Sequence, residues 1–146
     1  MKERTCILIK PDGVEKKVAG KVVDALEREG FDIRALKMVP PDKRTVENFY
    51  SAHKGKPFFD AFIDFMTSGP FIAMVWEGEK IIERARKMVG ATISKEAMPG
   101  TLRRLYGTDG RRNLVHASDS AESAEKEIFT IFKESEIIYP LPIRRN

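Results

Sequence analysis

The segment FIAMVW, residues 71–76, is the starting point for the fold prediction, because it belongs to the longest apolar run of the chain, which starts at Pro70. A run of this length fits a strand and is far too short for a membrane-spanning helix. Strands that are apolar at every position are typical of the centre of a sheet with both faces covered. The sequence therefore predicts a central strand at residues 71–76.

Three more strands are predicted around this central one. Residues 5–10 carry Cys, Ile, Leu and Ile and are followed by a Pro-Asp-Gly turn signal. Residues 31–39 alternate apolar with charged side chains, and two prolines end the run. Residues 113–116 are a short candidate strand ahead of a polar cluster.

Helical spacing of apolar residues predicts five helices. Gly30 and Gly90 are natural stops for the first and fourth, and Pro57 is a favoured first position for the third. Asp119 can cap the last helix, with Glu122 completing a capping-box pattern. Residues 91–112 show no periodicity and are predicted to form a long loop. The apolar faces of the helices fall within residues 18–26, 46–53, 58–66, 81–89 and 121–132.

The order of these elements is β-α-β-α-α-β-α-loop-β-α. It predicts an α+β protein of the ferredoxin-like, split βαβ type: a four-stranded antiparallel sheet with helices on one face, added helices and a long loop. The chain has no internal repeat, low-complexity tract or linker, so residues 1–146 are expected to form a single domain.

Composition narrows the class of protein and its location. The chain has 146 residues, 42% hydrophobic and 33% charged, a usual balance for a soluble globular protein. Cys6 is the single cysteine, so no intrachain disulfide can form and a reducing compartment fits. The N-terminus lacks the apolar core of a secretory signal. We therefore expect a cytoplasmic protein that does not associate with membranes.

The positive charge of the chain is concentrated in one region. Residues 80–112 hold nine Lys or Arg against three Asp or Glu, within a formal net charge of +4. Such a region suits a ligand that bears phosphate groups. A basic face that is simply solvated accounts for the same charges, and charge alone does not choose between the two interpretations.

The block NLVHASDS at residues 113–120 holds the strongest candidate for chemistry, His116. It lies where a predicted strand meets the start of a helix, a place that favours anions. Neutral imidazole has a free lone pair near neutral pH and can capture a phosphoryl group without a separate base. Glu127 on the next helix can turn back to orient the ring, with Ser118 bridging. A structural histidine is the alternative.

No phosphate-binding loop, dinucleotide motif or protein-kinase signature is present. Any phosphate must therefore be held by side-chain cations, for which Lys10, Arg86 and Arg103 are the candidates. With two histidines and one cysteine, the chain shows no metal-ligand spacing. Magnesium would have to arrive with a nucleotide.

Several segments, in order and from nearly one end of the chain to the other, resemble those of nucleoside diphosphate kinases. The most specific are IKPDGV at residues 9–14, PFF at 57–59, SGP at 68–70, PGT at 99–101 and RNLVHASDS at 112–120. The resemblance implies that His116 is the phosphorylated nucleophile and that Glu127 and Ser118 orient it. It also implies a base platform at Phe58, with Phe62 beside it, and a set of phosphate and sugar contacts. Those contacts are Lys10, Tyr50, Arg86, Thr92, Arg103 and Asn113.

The reaction that the resemblance implies is a ping-pong transfer of the γ-phosphoryl group of ATP to nucleoside diphosphates, broad in base and sugar, with Mg²⁺ delivered by the nucleotide. It also implies a homo-oligomer, a hexamer or a tetramer. This chain departs from the common family pattern at Ile93-Ser94, where many members have Asn-Pro, at Arg111-Arg112, and at Ala117, where many have Gly. These departures fall in the loop and beside the histidine, and leave the implied catalytic residues in place.

Two other classes of function remain as alternatives. Small ferredoxin-like domains bind RNA through aromatic residues on the sheet, but the aromatic residues of the central strand are predicted to be buried and the RNA-binding signature is absent. Nucleic acid is therefore not expected as the main partner. A phosphocarrier without a nucleotide site is the other alternative, against which Phe58 and the arginines argue.

Overall fold

In this computed structural model the structure describes residues 2–139, and these contain one four-stranded sheet. The strands are β1 (Lys2–Ile9), β2 (Asp32–Val39), β3 (Phe71–Glu79) and β4 (Val115–Ala117). Their order across the sheet is β2-β3-β1-β4, and every neighbouring pair is antiparallel. The predicted α+β, ferredoxin-like sheet is confirmed. Residues 140–146, which the single-domain prediction also included, lie outside the described residues.

The central strand β3 is buried on both sides, as its composition predicted. Phe71, Ala73 and Val75 point into one apolar cluster. Met74 and Trp76 point into a second cluster on the opposite face, where the Trp76 indole N–H donates to the Met74 sulfur over 3.3 Å. Side chains of a strand alternate between the two faces of the sheet, so one strand contributes to both clusters.

Helices cover both faces of the sheet, and the expectation of helices on one face was wrong. The α-helices are α1 (Pro11–Glu15), α2 (Ala19–Arg28), α3 (Lys43–Phe49), α4 (Phe59–Met66), α5 (Ile81–Val89), α6 (Leu102–Tyr106) and α7 (Ala121–Ile131). Residues of α3, α4 and α7 belong to the first cluster, and residues of α2, α5 and α6 to the second. Because β1 and β3 are apolar on both sides, each side requires a helical layer.

Two short helices were not predicted. The Pro-Asp-Gly sequence after β1 begins helix α1 rather than a simple turn, since Pro11 takes the first helical position. The stretch 91–112 contains a 3₁₀ turn, Ser94–Glu96, and helix α6, which is capped by the Thr101 hydroxyl. Elements this short give too few apolar repeats for a periodicity to be visible.

The junction of β4 and α7 also differs from the prediction. Strand β4 begins at Val115, because Leu114 has a positive φ of +81° and cannot continue a strand. The cap of α7 is Ser120, whose hydroxyl accepts from the backbone N–H of Ser123 over 3.1 Å, and not Asp119 as the capping-box pattern predicted. Within residues 2–139, no helix is long and apolar enough to span a bilayer.

Candidate active site

A cleft of about 1030 Å³ opens where β1 ends and β4 begins. The loop 91–112 and side chains of α3, α4, α5 and α7 enclose it. Of the residues predicted for the site, all except Ser118 line this cleft. They are Lys10, Tyr50, Phe58, Phe62, Arg86, Thr92, Arg103, Asn113, His116 and Glu127.

His116 lies in the middle of β4, and a carboxylate on α7 holds its ring. His116 Nε2 is 2.7 Å from Glu127 Oε1, and the buried Ser118 hydroxyl donates to the same oxygen over 2.8 Å. Ser118 in turn accepts from the backbone N–H of Cys6 over 3.0 Å. Because an ionised carboxylate only accepts hydrogen bonds, Nε2 carries the proton and Nδ1 carries the lone pair.

The His116 ring is packed between aromatic side chains and keeps a small opening to the cleft. Phe49 and Tyr50 approach it edge-on, with centroids 5.1 Å and 5.7 Å away, and the side chain remains 19% exposed. Burial lowers the pKa of His116, the hydrogen bond that His116 donates to Glu127 and the charge of Glu127 oppose this, and the positive charges of Lys10 and Arg103 lower it further. The neutral form, with its lone pair free, is therefore favoured at neutral pH.

The chain enters β4 through a strained turn. The Val115 N–H donates to the Asn113 carbonyl over 2.9 Å, which makes a three-residue γ-turn with Leu114 at its centre. The φ of +81° at Leu114 costs about 1–3 kcal/mol for a residue other than glycine. The turn is held by the backbone N–H of Lys10, which donates to Leu114 O over 2.8 Å, and by the Asp12 carboxylate, which accepts from Leu114 N over 3.1 Å.

Lys10 is the deepest cation of the cleft and is only 5% exposed. Its ammonium donates to the side-chain oxygen of Asn113 over 2.6 Å and lies 5.3 Å from the centre of the Phe62 ring. The amide of Asn113 donates to the carbonyls of Thr92 and Gly110, which ties the loop to the floor of the cleft. Burial lowers the pKa of Lys10 to about 7, helped by the charge of Arg103 and opposed by Asp12.

Arg103 and Arg86 are held by backbone carbonyls and form no ion pair with a carboxylate among residues 2–139, so both bring positive charge to the cleft, where Asp119 partly offsets that of Arg86. Arg103 donates to Gly90 O over 2.9 Å and to Val115 O over 2.8 Å, and Arg86 donates to Ala117 O over 3.1 Å. Burial and the neighbouring Arg86 lower the pKa of Arg103 to about 10, so it stays charged at neutral pH. Its buried Nε–H has no hydrogen-bond partner among residues 2–139.

An aromatic wall faces these cations. Phe58, just before α4, leaves 48% of its surface exposed on the cleft, an unusual position for a large apolar side chain. Tyr50 packs against Phe62 at 4.6 Å, and its buried hydroxyl has no hydrogen-bond partner within the described part of the chain. A flat exposed ring beside several cations can bind a planar, phosphate-bearing ligand.

Some residues of the site were not predicted from the sequence. Asp109 accepts from the backbone N–H groups of Arg111 and Arg112 over 2.9 Å and 2.6 Å, and this tight turn brings both arginines to the edge of the cleft. The concentration of basic residues in 80–112 included Arg111 and Arg112, although it did not distinguish them from the other basic residues as part of the site. Phe49 and His53 also line the cleft, and neither stands in a motif that marks it.

No cluster of three or more His, Cys, Asp or Glu residues suited to a metal ion occurs among the described residues. The groups that the cleft presents include the imidazole of His116 and several cations. A neutral imidazole beside a buried lysine and two arginines can accept a phosphoryl group while the cations neutralise its oxygens, and this is the chemistry of a phosphotransferase.

Comparison with known proteins identifies the family. The family model of nucleoside diphosphate kinase matches residues 3–137. The chain is 52% identical to the nucleoside diphosphate kinase of Staphylothermus marinus over 136 residues, covering 93% of this chain and 96% of that one. It is 50% identical to that of Methanocaldococcus jannaschii over 137 residues, covering 94% and 98%.

Solved structures give the same result. The Aquifex aeolicus nucleoside diphosphate kinase superposes with a TM-score of 0.92 at 44% identity, covering 94% of this chain and 100% of that one. The Halobacterium salinarum enzyme, solved in complex with CDP, gives 0.93 at 38% identity, covering 97% and 95%. The chain belongs to the nucleoside diphosphate kinase family, whose members transfer phosphate between nucleotides.

Proposed function

We propose that this chain transfers the γ-phosphoryl group of ATP to nucleoside diphosphates by a ping-pong reaction, with His116 carrying the group between substrates. One observation carries the proposal. The Nε2 of His116 is hydrogen-bonded to Glu127, whereas its Nδ1 has no protein partner within residues 2–139. The imidazole ring borders the cleft that the cations line. A nucleophile with its proton fixed on the far side needs no separate base.

In the first half-reaction, the lone pair of His116 Nδ1 attacks the γ-phosphorus of ATP. A P–N bond forms, the bond from the γ-phosphorus to the bridging oxygen breaks, and ADP leaves with that electron pair. Glu127 keeps the proton on Nε2 and offsets the positive charge that the phosphorylated ring acquires. In the second half-reaction, a terminal oxygen of a nucleoside diphosphate attacks the same phosphorus, and the electron pair of the P–N bond returns to the imidazole.

The cations of the cleft lower the barrier to this transfer. Charge on a phosphoryl group in transit is spread over its outer oxygens, so fixed donors around it are effective. Lys10 and Arg103 are held in place by neighbouring carbonyl or amide oxygens, and Arg86 by the carbonyl of Ala117. The unpartnered Arg103 Nε–H and Tyr50 hydroxyl support the assignment of these residues to phosphate and sugar contacts.

The exposed ring of Phe58 is proposed as the platform for the nucleotide base, with Phe62 behind it. Stacking on an aromatic ring tolerates every base, since each has a π-face. This accounts for a broad choice of nucleotide. Thr92 and Asn113, which also line the cleft, are proposed as further phosphate and sugar contacts, and the CDP complex of the Halobacterium salinarum relative supports a site for nucleoside diphosphates.

Mg²⁺ is proposed to enter as part of the nucleotide substrate, bound to its phosphate oxygens, because no dedicated metal cluster is found among the described residues. We propose that the chain forms a single domain over residues 1–146 and acts in the cytoplasm. We also propose that it assembles as a homo-oligomer, a hexamer or a tetramer. Exposed Ile33, Leu36 and Met38 on the edge strand β2 support an assembled state.

The test is brief incubation with γ-labelled ATP. We expect acid-labile, alkali-stable label on the chain, which any added nucleoside diphosphate discharges. The chain has two histidines, so His53→Ala is a matched control for His116→Ala. His53→Ala should still take up label, and His116→Ala should take up none.

Two outcomes would contradict the proposal. If His116→Ala protein still converts GDP to GTP at the expense of ATP, the phosphohistidine route is wrong. If wild-type protein takes up no label from ATP and folded His116→Ala protein binds no nucleotide, the chain has no nucleotide site of its own and the phosphocarrier alternative is favoured.

A further inference from the structure

A buried carboxylate outside the proposed chemistry lies beneath the strained turn. Asp12 is the second residue of α1 and is 6% exposed. One of its oxygens accepts from the Leu114 N–H over 3.1 Å, while the other is buried without a hydrogen-bond partner among residues 2–139. A buried carboxylate is costly, so it requires compensation from its surroundings.

The segment that carries Asp12 encloses Leu114 from several sides. Lys10 donates its backbone N–H to the Leu114 carbonyl over 2.8 Å. Gly13 lies so near that a Cβ there would come 2.8 Å from Ile9 Cγ2 and 3.3 Å from Leu114 O. The close approach therefore requires glycine. Both backbone polar groups of Leu114 are bound by this one segment.

The turn at Leu114 joins two parts of the site. Asn113, the residue before Leu114, accepts a hydrogen bond from the Lys10 ammonium over 2.6 Å. His116 lies two residues after Leu114. If Leu114 relaxed to a negative φ, the backbone on both sides would rotate. The lysine contact and the imidazole would then both leave their present positions.

We propose that Asp12 is a positioning residue for phosphoryl transfer, whose carboxylate holds Leu114 in its left-handed turn and so aligns the Lys10–Asn113 pair with His116. The inference rests on the proposed function, because it concerns the same reaction. Asp12 does not touch the reacting atoms. It acts through the backbone of Leu114.

The experiment measures the rate at which γ-labelled ATP phosphorylates the chain, per folded molecule, in a set of variants. Asp12→Ala removes the acceptor, and we expect the rate to fall by about 10- to 100-fold, since small misplacements of reacting groups have effects of this size. Asp12→Asn keeps an acceptor for the Leu114 N–H and should stay within a few-fold of wild type at mildly acidic pH. Glu15→Gln removes an exposed charge from the same helix and should leave the rate unchanged.

Two further variants separate positioning from folding. Asp12→Glu keeps the charge but displaces the carboxylate, so it should be slow even if Asp12→Ala fails to fold. Leu114→Gly removes the penalty for positive φ. In that background, Asp12→Ala should lose much less activity than it does in the wild-type chain, as measured by a double-mutant cycle. A general loss of packing would not be relieved in this way.

The inference is overturned if Asp12→Glu, or a folded Asp12→Ala, is phosphorylated as fast as Glu15→Gln. It is also overturned if Leu114→Gly leaves the loss undiminished. These failures are distinct from failure of the proposed function, in which wild-type protein itself takes up no label.

Discussion

Among single residues, the reactivity proposed for His116 depends most on Glu127, which contacts the ring nitrogen that is not expected to react. One carboxylate oxygen of Glu127 accepts hydrogen bonds from both the Nε2–H of His116 and the Ser118 hydroxyl. This arrangement fixes the orientation of the ring and the tautomer together. It explains why an ordinary helix position, four residues from the end of α7, bears on chemistry in β4.

Replacing Glu127 by Gln should slow phosphorylation of the chain by about 10- to 100-fold, the effect of losing one charge-assisted hydrogen bond. The side-chain oxygen of Gln can still accept a hydrogen bond from the Nε2–H of His116, but the neutral amide does not offset the charge of the phosphorylated ring. Rapid-quench measurement with γ-labelled ATP would give the rate. Glu125→Gln, on the exposed side of the same helix, is the control, and equal rates for the two variants would contradict the role of Glu127.

The pH dependence of kcat/KM should reflect the protonation of Lys10. Its pKa is lowered to about 7, and it binds phosphate only when protonated, so kcat/KM should fall as the pH rises through about 7. His116 must be neutral, so activity should also fall on the acid side, below its lowered pKa. Asp12 opposes the lowering at Lys10, so Asp12→Asn should move the alkaline limb to lower pH. The other groups that interact electrostatically with Lys10 or Asp12 are the charged Arg103 and Lys16 and the titratable His116.

An alkaline limb at the same pH in wild type and Asp12→Asn would show that Lys10 does not control it. Glu15→Gln, from the exposed side of α1, should not shift the profile and serves as the reference.

Most residues of the site could be predicted because they stand in short motifs. His116, Lys10 and Phe58 belong to such motifs, and the structure places all three on one cleft. Asp12 was identified only as part of a turn signal, because its role depends on Leu114, more than a hundred residues away. The sequence cannot show that a leucine adopts positive φ, since no local pattern marks it.

At the scale of elements, the cap of α7 determines how the helix that carries Glu127 begins. The Ser120 hydroxyl accepts from the Ser123 N–H. Ser120→Ala should therefore lower the free energy of unfolding by about 1 kcal/mol. Urea titration would measure it, with Asp119→Ala for comparison. A larger loss for Asp119→Ala would mean that the capping-box prediction from the sequence was right.

The long elements were predictable and the short ones were not, for one physical reason. Strand β3 and helix α5 carry enough apolar residues for their period to be visible, and the structure confirms both. Helices α1 and α6 have five residues each, so their existence depends on Pro11, on the Thr101 cap and on tertiary packing. The covering of both sheet faces followed from the unbroken apolar runs in β1 and β3, residues 6–9 and 71–76, an implication that the fold prediction did not use.

At the scale of the whole molecule, the edge of the sheet bears on assembly. Leu36 and Met38 are 53% and 52% exposed on β2, which has a free edge among the described strands. An exposed apolar edge strand favours association with another chain.

Leu36→Lys should therefore lower the molar mass measured by light scattering, if β2 lies in the proposed homo-oligomer interface. Phe129→Lys, at an exposed apolar position on α7, is the matched control and should leave the mass unchanged. An unchanged mass for Leu36→Lys would exclude this edge from the interface.

Cys6, whose backbone N–H donates to Ser118, is a buried free cysteine, so its reactivity can report local opening of the native chain. The thiol is fully buried, and burial raises its pKa well above the usual value, so little of the reactive thiolate forms. Ellman's reagent should stay colourless with folded protein and turn yellow only when the helices of the first cluster, α3, α4 and α7, move away from Cys6. The rate of colour development would then report how fast the helical layer that carries Glu127 opens, without an engineered label.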